Sequence, residues 1–269
     1  MRNRRLWYRW RQRGFLAVVA LPALLFFLTP VIALVWRVSP ELLTTHLLEP
    51  ATFQAIELSL RTTFISTLVT LVAGTPLAYV LARWRFRGRA ILDTLIDLPM
   101  VLPHAVAGIA LLVAFGRDGL IGGYLSQWGI TIPFTPLAVV LAQTFVAAPF
   151  YIKAATASFM RIDVDLESAA AIDGASPLLV FRYVTLPLAS VGLLSGLVMT
   201  WARALGEFGA TIIFAGNFPG RTQTMPLAIY LGFELAFNVA LTLAVMLLVV
   251  SSAVLLLIKW GLGQRVWRS

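Results

Sequence analysis

The sequence predicts an all-α membrane protein with six transmembrane helices. Three observations carry that prediction. Of 269 residues, 59% are hydrophobic and only 12% are charged, about half the charge of an ordinary soluble domain. Runs without Asp, Glu, Lys or Arg extend over Gly14 to Trp36, Thr62 to Ala82, Leu98 to Gly116, Tyr183 to Ala202 and Leu235 to Ile258. Each reaches the roughly 20 residues a helix needs to cross the hydrocarbon core. Finally, the basic residues collect in alternate loops. A soluble helical protein is excluded by runs such as Leu241 to Ile258, which lack the polar face of a core-facing helix.

Taken in order, residues 1–13 form a basic N-terminal segment with six arginines, and 14–36 form the first span. The apolar run is longer than the 7–15-residue core of a signal peptide, so it reads as a retained helix. The next loop carries Glu41, Glu49 and Glu57. The second span, 58–82, holds Gly74 and Pro76, and the third covers 91–115. The uncharged stretch Gly119 to Ile152 is too long for one helix. Gly122, Gly123, Gly129, Pro133 and Pro136 mark its first half as turns, so the fourth span is 136–156. A loop at 157–186, a fifth span at 187–214, a second loop at 215–232 and a sixth span at 235–258 complete one domain without linkers.

The N-terminus, the loops after spans two and four (with Lys153 at the end of span four) and the C-terminus hold sixteen Lys and Arg residues, against three in the other loops. By the positive-inside rule both termini lie in the cytoplasm. The net charge of +9 thus reads as membrane topology, and no nucleic-acid partner is expected.

Two segments suggest a polar path. The third span opens with Asp97-Leu98-Pro99-Met100-Val101-Leu102-Pro103-His104, in which each proline removes a backbone hydrogen bond. Irregular backbone at membrane depth is tolerated where it is covered by protein or lines an aqueous cavity. A plain proline kink is the alternative. In the fifth span, Arg203 and Glu207 are four residues apart and share a helix face, with Gly206 between them. Intramembrane charges mark either a packing ion pair or a path, and one pair can serve both. Gly192 and Gly196 permit close helix approach.

The loop after span four is not simply polar. Asp165 is a candidate cap for a short helix from Leu166 to Asp173 that Gly174 ends. Ser176-Pro177 then reads as the start of a second short helix. Ser168, Ala169, Ala170 and Ala171 give the first a smooth face suited to docking on another protein.

Several chemistries are missing from the sequence. There is no cysteine, and His46 and His104 stand far apart, too few ligands for a zinc site. No metal site or catalytic residue is expected. Neither lysine, Lys153 or Lys259, follows a glycine, so the phosphate-binding G-x-x-x-x-G-K-S/T motif is absent.

Glu167-Ser168-Ala169-Ala170-Ala171-Ile172-Asp173-Gly174, followed by Val184-Thr185-Leu186-Pro187, resembles the EAA loop of permease subunits of ABC importers. The family pattern is E-A-A-x-x-x-G, nine residues, then I-x-L-P. Ser168 occupies the motif glutamate and Glu167 lies one residue earlier. Arg203-Ala204-Leu205-Gly206-Glu207-Phe208-Gly209-Ala210-Thr211, with Asn217, Pro219-Gly220, Thr222, Thr224 and Pro226-Leu227-Ala228-Ile229-Tyr230, is similar to the oxyanion permeases. Molybdate or tungstate is favoured, and sulfate or thiosulfate is the runner-up. Leu98-Pro99-Met100-Val101-Leu102-Pro103 is similar too, with His104 where the family often has a further proline.

The resemblance implies a prokaryotic inner-membrane protein of MetI-like importer-permease fold, with a cytoplasmic coupling helix between spans four and five. It implies a homodimer, an ABC ATPase subunit that holds ATP and magnesium, and an extracytoplasmic oxyanion-binding protein. This chain itself would be no enzyme and carry no cofactor. Glu167, Ser168, Ala169, Ala170, Ala171 and Gly174 are the expected ATPase-coupling residues. Pro99, Pro103, His104, Arg203, Gly206 and Glu207 are expected along the path, and Gly220, Thr222, Thr224 and Pro226 in the loop facing the binding protein. A stand-alone anion carrier or channel, or a non-transporting membrane subunit, are the alternatives from other classes.

Overall fold

The computed structural model describes residues 2–47 and 49–266, with side chains described for 18–46, 49–256 and Trp260. The N-terminal arginines, Lys259 and Arg265 lack described side chains, and Arg268 lies outside the described residues, so their part in the charge pattern is not visible.

The described chain is helical throughout. The elements are α1 (Arg2–Arg37), α2 (Pro40–Leu47), α3 (Pro50–Arg83), α4 (Arg89–Val101), α5 (His104–Phe115), α6 (Gly122–Gln127), α7 (Pro136–Met160), α8 (Val164–Ile172), α9 (Pro177–Val180), a π turn (Phe181–Thr185), α10 (Leu186–Leu205), α11 (Gly209–Ala215), α12 (Met225–Leu235) and α13 (Phe237–Val266). Five segments are long and apolar enough to cross a membrane, and a sixth is formed if the bent pair α4–α5 counts as one span. The chain is a multi-pass membrane protein.

Helix α7 is the hub. Thr135 caps its N-terminus by accepting from the Ala138 amide, and Pro136 sits in its first turn, where a missing N–H costs nothing. It packs against α3 and α10 around Ala78, Leu81, Tyr151, Ala155, Phe159 and Leu193. On another side it meets α5 and α11 around Ala107, Leu111, Val139, Val146 and Phe214. By contrast α1 is peripheral, with none of Val18–Arg37 buried among its neighbours.

The pattern on α3 is the reverse of a soluble helix. Its inward positions are Thr52, Ala55, Ser59, Thr62, Thr63, Ser66, Thr70, Gly74 and Ala78, while Phe64, Ile65, Leu68, Val69 and Val72 point outward. Small residues let helices approach closely in lipid, and hydroxyls bond across the seam. Thr144 donates to Ser66 at 3.1 Å, Thr75 and Tyr151 meet at 2.6 Å, and Thr156 reaches the Ala78 carbonyl at 3.4 Å. Gly74 lets the helices close there, since a Cβ would lie 3.0 Å from the Tyr151 ring and push it aside. The glycine pair on α10 works likewise: a Cβ on Gly192 would overlap Ser158 Oγ, and one on Gly196 would sit 2.8 Å from Ala154 Cβ.

Four sequence expectations change. The third span, 91–115, is two helices bent by 117°, because Pro103 forces Leu102 into extended backbone (φ −64°, ψ 136°). The fifth span, 187–214, ends as a regular helix at Leu205 and resumes at Gly209. Ser176 takes the N-cap position and Pro177 opens α9 as expected, but α9 is not a separate helix. Instead α9 runs through the π turn into α10, where Leu186 N–H reaches back five residues to the Phe181 carbonyl, a widening that accommodates Pro187. Most of the second half of the 215–232 loop is helical, since α12 begins at Met225.

Candidate functional site

The two interrupted spans meet at their interruptions. His104 opens α5, Arg203 lies in the last turn of α10, and Glu207 occupies the break before α11. Their proximity rests on close backbone contact. A Cβ on Gly209 would lie 2.6 Å from His104 Cβ, and one on Gly108 would lie 2.9 Å from the Ala210 carbonyl. Gly206 ends α10 next to Glu207.

Glu207 is fully buried. Its Oε1 accepts the Ala210 amide at 2.8 Å, tying it to the first turn of α11, where a carboxylate is favoured by the helix dipole. Its Oε2 lies 3.0 Å from Arg203 Nη2. The same nitrogen meets His104 Nε2 at 2.5 Å. Arg203 is 22% exposed, so one cation faces open space while its counter-charge is hidden. The N-termini of α5 and α11 adjoin this break, and half-helix N-termini favour anions. Pro99 is buried within α4 and Pro103 caps α5, so both shape the bend rather than present chemistry.

The short helix after α7 starts two residues earlier than the sequence suggested. Its cap is Asp163, which accepts from the Asp165 amide at 3.0 Å, and Asp165 lies inside the first turn. Gly174 does end it, with φ +91° and no atom near a would-be Cβ. Ser168, Ala169, Ala171 and Ile172 are exposed and Ala170 is half-buried. Together with Val164, Leu166, Leu178 and Leu179 they leave an apolar surface open.

Glu167 points the other way. Its Oε1 accepts from Arg83 Nη2 at 2.9 Å and from Thr185 Oγ1 at 2.6 Å. Arg83 also donates to the Ile162 carbonyl at 3.3 Å. One carboxylate thus joins α8 to the end of α3 and to the π turn. The sequence singled out Glu167 but neither partner, because they are 84 and 18 residues away. A second cluster was missed as well. Lys153, counted only as a basic charge at the cytoplasmic end of the fourth span, lies within α7 and holds Asp93 and Asp97 of α4 at 2.7 and 2.9 Å.

The far loop differs from expectation. Gly220 has φ +73° and stays at the surface. Thr222 is buried, and its hydroxyl accepts the Phe218 amide at 3.1 Å, closing the turn. Thr224 is buried before α12, and Pro226 is in its first turn. Neither threonine hydroxyl is available to an incoming ligand in this conformation. Among the described residues, no cluster of His, Cys, Asp and Glu could hold a metal.

Known proteins resemble this chain in sequence and in fold. Residues 74–267 match the family described as binding-protein-dependent transport system inner membrane component. The molybdenum transport system permease protein ModB of Mycobacterium tuberculosis is 44% identical over 91% of this chain and 92% of its own length. The probable transport system permease protein NifC of Clostridium pasteurianum is 35% identical over 91% and 86%. The chain of a bacterial ABC transporter for import of the acidic polysaccharide alginate superposes with a TM-score of 0.75 over 97% of this chain and 99% of that one, at 18% identity. That likeness concerns the fold. The match over most of the chain, together with a relative 44% identical over 91% of it, places this protein in the family of binding-protein-dependent transport system inner membrane components.

Proposed function

We propose that this chain is the permease subunit of an ABC importer for molybdate or tungstate, working as a homodimer with a separate ATPase. The supporting relatives include molybdenum permeases from several organisms. Sulfate and thiosulfate recede, because the named relatives point to molybdenum. The observation that carries the reading is the path from α8 to the charged break. Exposed Ile172, Leu166 and Ala169 of α8 dock in the ATPase, on the cytoplasmic side. Displacement of α8 passes through Glu167 to Arg83 and Thr185, so it moves α3 and the head of α10 together. The far end of α10 carries Arg203 against His104 and Glu207, so tilting α10 rearranges the break. The turn at 216–224 faces the binding protein on the other side.

An external motor is required on energetic grounds. Import of a dianion against a negative interior costs about 2.3 kcal/mol per charge per 100 mV, and this sequence has no nucleotide motif. Conduction also requires weak binding within the path. A single guanidinium shared between a carboxylate and an imidazole meets that condition.

The test is reconstitution. In vesicles with its ATPase and binding protein the chain takes up molybdate when ATP is supplied, and fails without either partner. Uphill transport by the chain alone overturns the reading, as does ATP-driven uptake of sulfate but not molybdate.

A further inference from the structure

Most cations drawn into the membrane body are answered internally. Arg83 pairs with Glu167, Lys153 with Asp93 and Asp97, and Arg203 with Glu207. Arg61 and Arg221 are different. Among the described residues, neither has a carboxylate within ion-pair distance, although both line one cavity of about 400 Å³ between α3, the start of α7 and the turn before α12. Glu57 lines it too without pairing to either.

The cavity has two kinds of wall. Arg61 and Arg221, with Glu57, supply its charged lining, and Ile65, Leu137 and Val140 an apolar lining that serves as its floor. Below the floor the outward face of α3 continues through exposed Ile65, Leu68 and Val72. These follow Arg61 at intervals of three and four and so lie in one row. From Arg61 to Val72 the helix rises about 16 Å, close to half of a hydrocarbon core about 30 Å thick. The row is therefore one leaflet long, with a charge at its head.

We infer that Arg61 and Arg221 bind the phosphate of an anionic phospholipid whose acyl chain lies along Ile65, Leu68 and Val72. A tetrahedral oxyanion in solution shares the phosphate's charge chemistry. It has no use for an apolar floor or for the row beneath it. The site stands at the end of the bundle away from Arg83, apart from the His104–Arg203–Glu207 break, and the inference does not depend on the transported substrate.

The full chain is placed in lipid discs of phosphatidylcholine alone or of an equimolar mixture with phosphatidylglycerol. Retained lipid is then counted by native mass spectrometry after detergent extraction. The wild type keeps phosphatidylglycerol in preference to phosphatidylcholine. R61Q/R221Q loses that preference by about thirtyfold, from two basic contacts near an anionic surface. R61K, which keeps a point charge, retains most of it. Thermal midpoints in phosphatidylcholine discs establish that the variants are folded. Equal phosphatidylglycerol retention by wild type and R61Q/R221Q overturns the assignment. So does protection by sodium molybdate alone, lost in R61Q/R221Q, with no lipid preference, which would make the cavity a free-oxyanion site.

Discussion

His104 Nε2 lies 2.5 Å from Arg203 Nη2, joining the first residue of α5 to the last turn of α10. Guanidinium only donates, so this imidazole nitrogen accepts and its ring proton sits on Nδ1. His104→Gln keeps an acceptor and retains most ATP-driven uptake. His104→Leu removes it, and loss of a hydrogen bond to a charged group lowers stability by about 1.5–3 kcal/mol. Uptake assays and thermal unfolding of the purified chain check both outcomes. Equal behaviour of the two variants would show that the contact has no role.

Arg203 and Glu207 separate folding from transport. Arg203→Ala leaves a buried carboxylate unpaired, at a cost of about 3–5 kcal/mol. Arg203→Met with Glu207→Gln removes both charges and restores much of the thermal midpoint, yet uptake stays lost. Normal uptake by the double variant would assign the pair to packing alone.

Glu167→Ala cuts α8 from both α3 and the π turn. ATP hydrolysis by the assembled complex continues, while uptake per ATP falls at least about tenfold, a change of about 1.4 kcal/mol in coupling. Exchanging the charges, Arg83→Glu with Glu167→Arg, recovers part of it. Parallel ATPase and uptake measurements on the same vesicles decide the matter.

Gly174 tests the docking face from outside. At φ +91° a branched residue costs about 1–3 kcal/mol, whereas Asn tolerates this region. Because no atom of the chain lies near a Cβ there, any loss with Gly174→Asn beyond a small stability change comes from a partner. Gly174→Arg therefore abolishes co-purification with the ATPase while the permease remains folded in the membrane.

Gly192→Ala places a methyl on Ser158 Oγ. Overpacking of this kind costs about 1–3 kcal/mol. Ser158→Ala in the same chain relieves part of it, a non-additivity that thermal unfolding of the single and double variants measures.

The apolar runs, the irregular prolines of the third span (though not the 117° bend they make), the glycine pair and the Arg203–Glu207 pairing were legible because each is encoded within a few residues. Pro103 announces its own bend, and a spacing of four announces a shared face. The partners of Glu167 were not legible, since Arg83 is 84 residues away and had meaning only as a loop charge. The fate of Thr222 was missed for a related reason. A threonine after Pro-Gly-Arg looks solvent-facing, and only the folded turn shows its hydroxyl committed to the Phe218 amide. Asp165 lost the capping position to Asp163 because two acidic residues two apart offer equivalent signals.

The hydroxyls between α3 and α7 have a mechanical consequence. Thr144 and Thr156 reach across the seam, but each also has its own helix's carbonyl at 2.7 Å, those of Val140 and Ile152. If the two helices slip past one another, these two protons fall back on a carbonyl of their own helix. That built-in alternative lowers the cost of shear along the joint, as a lubricant does in a bearing.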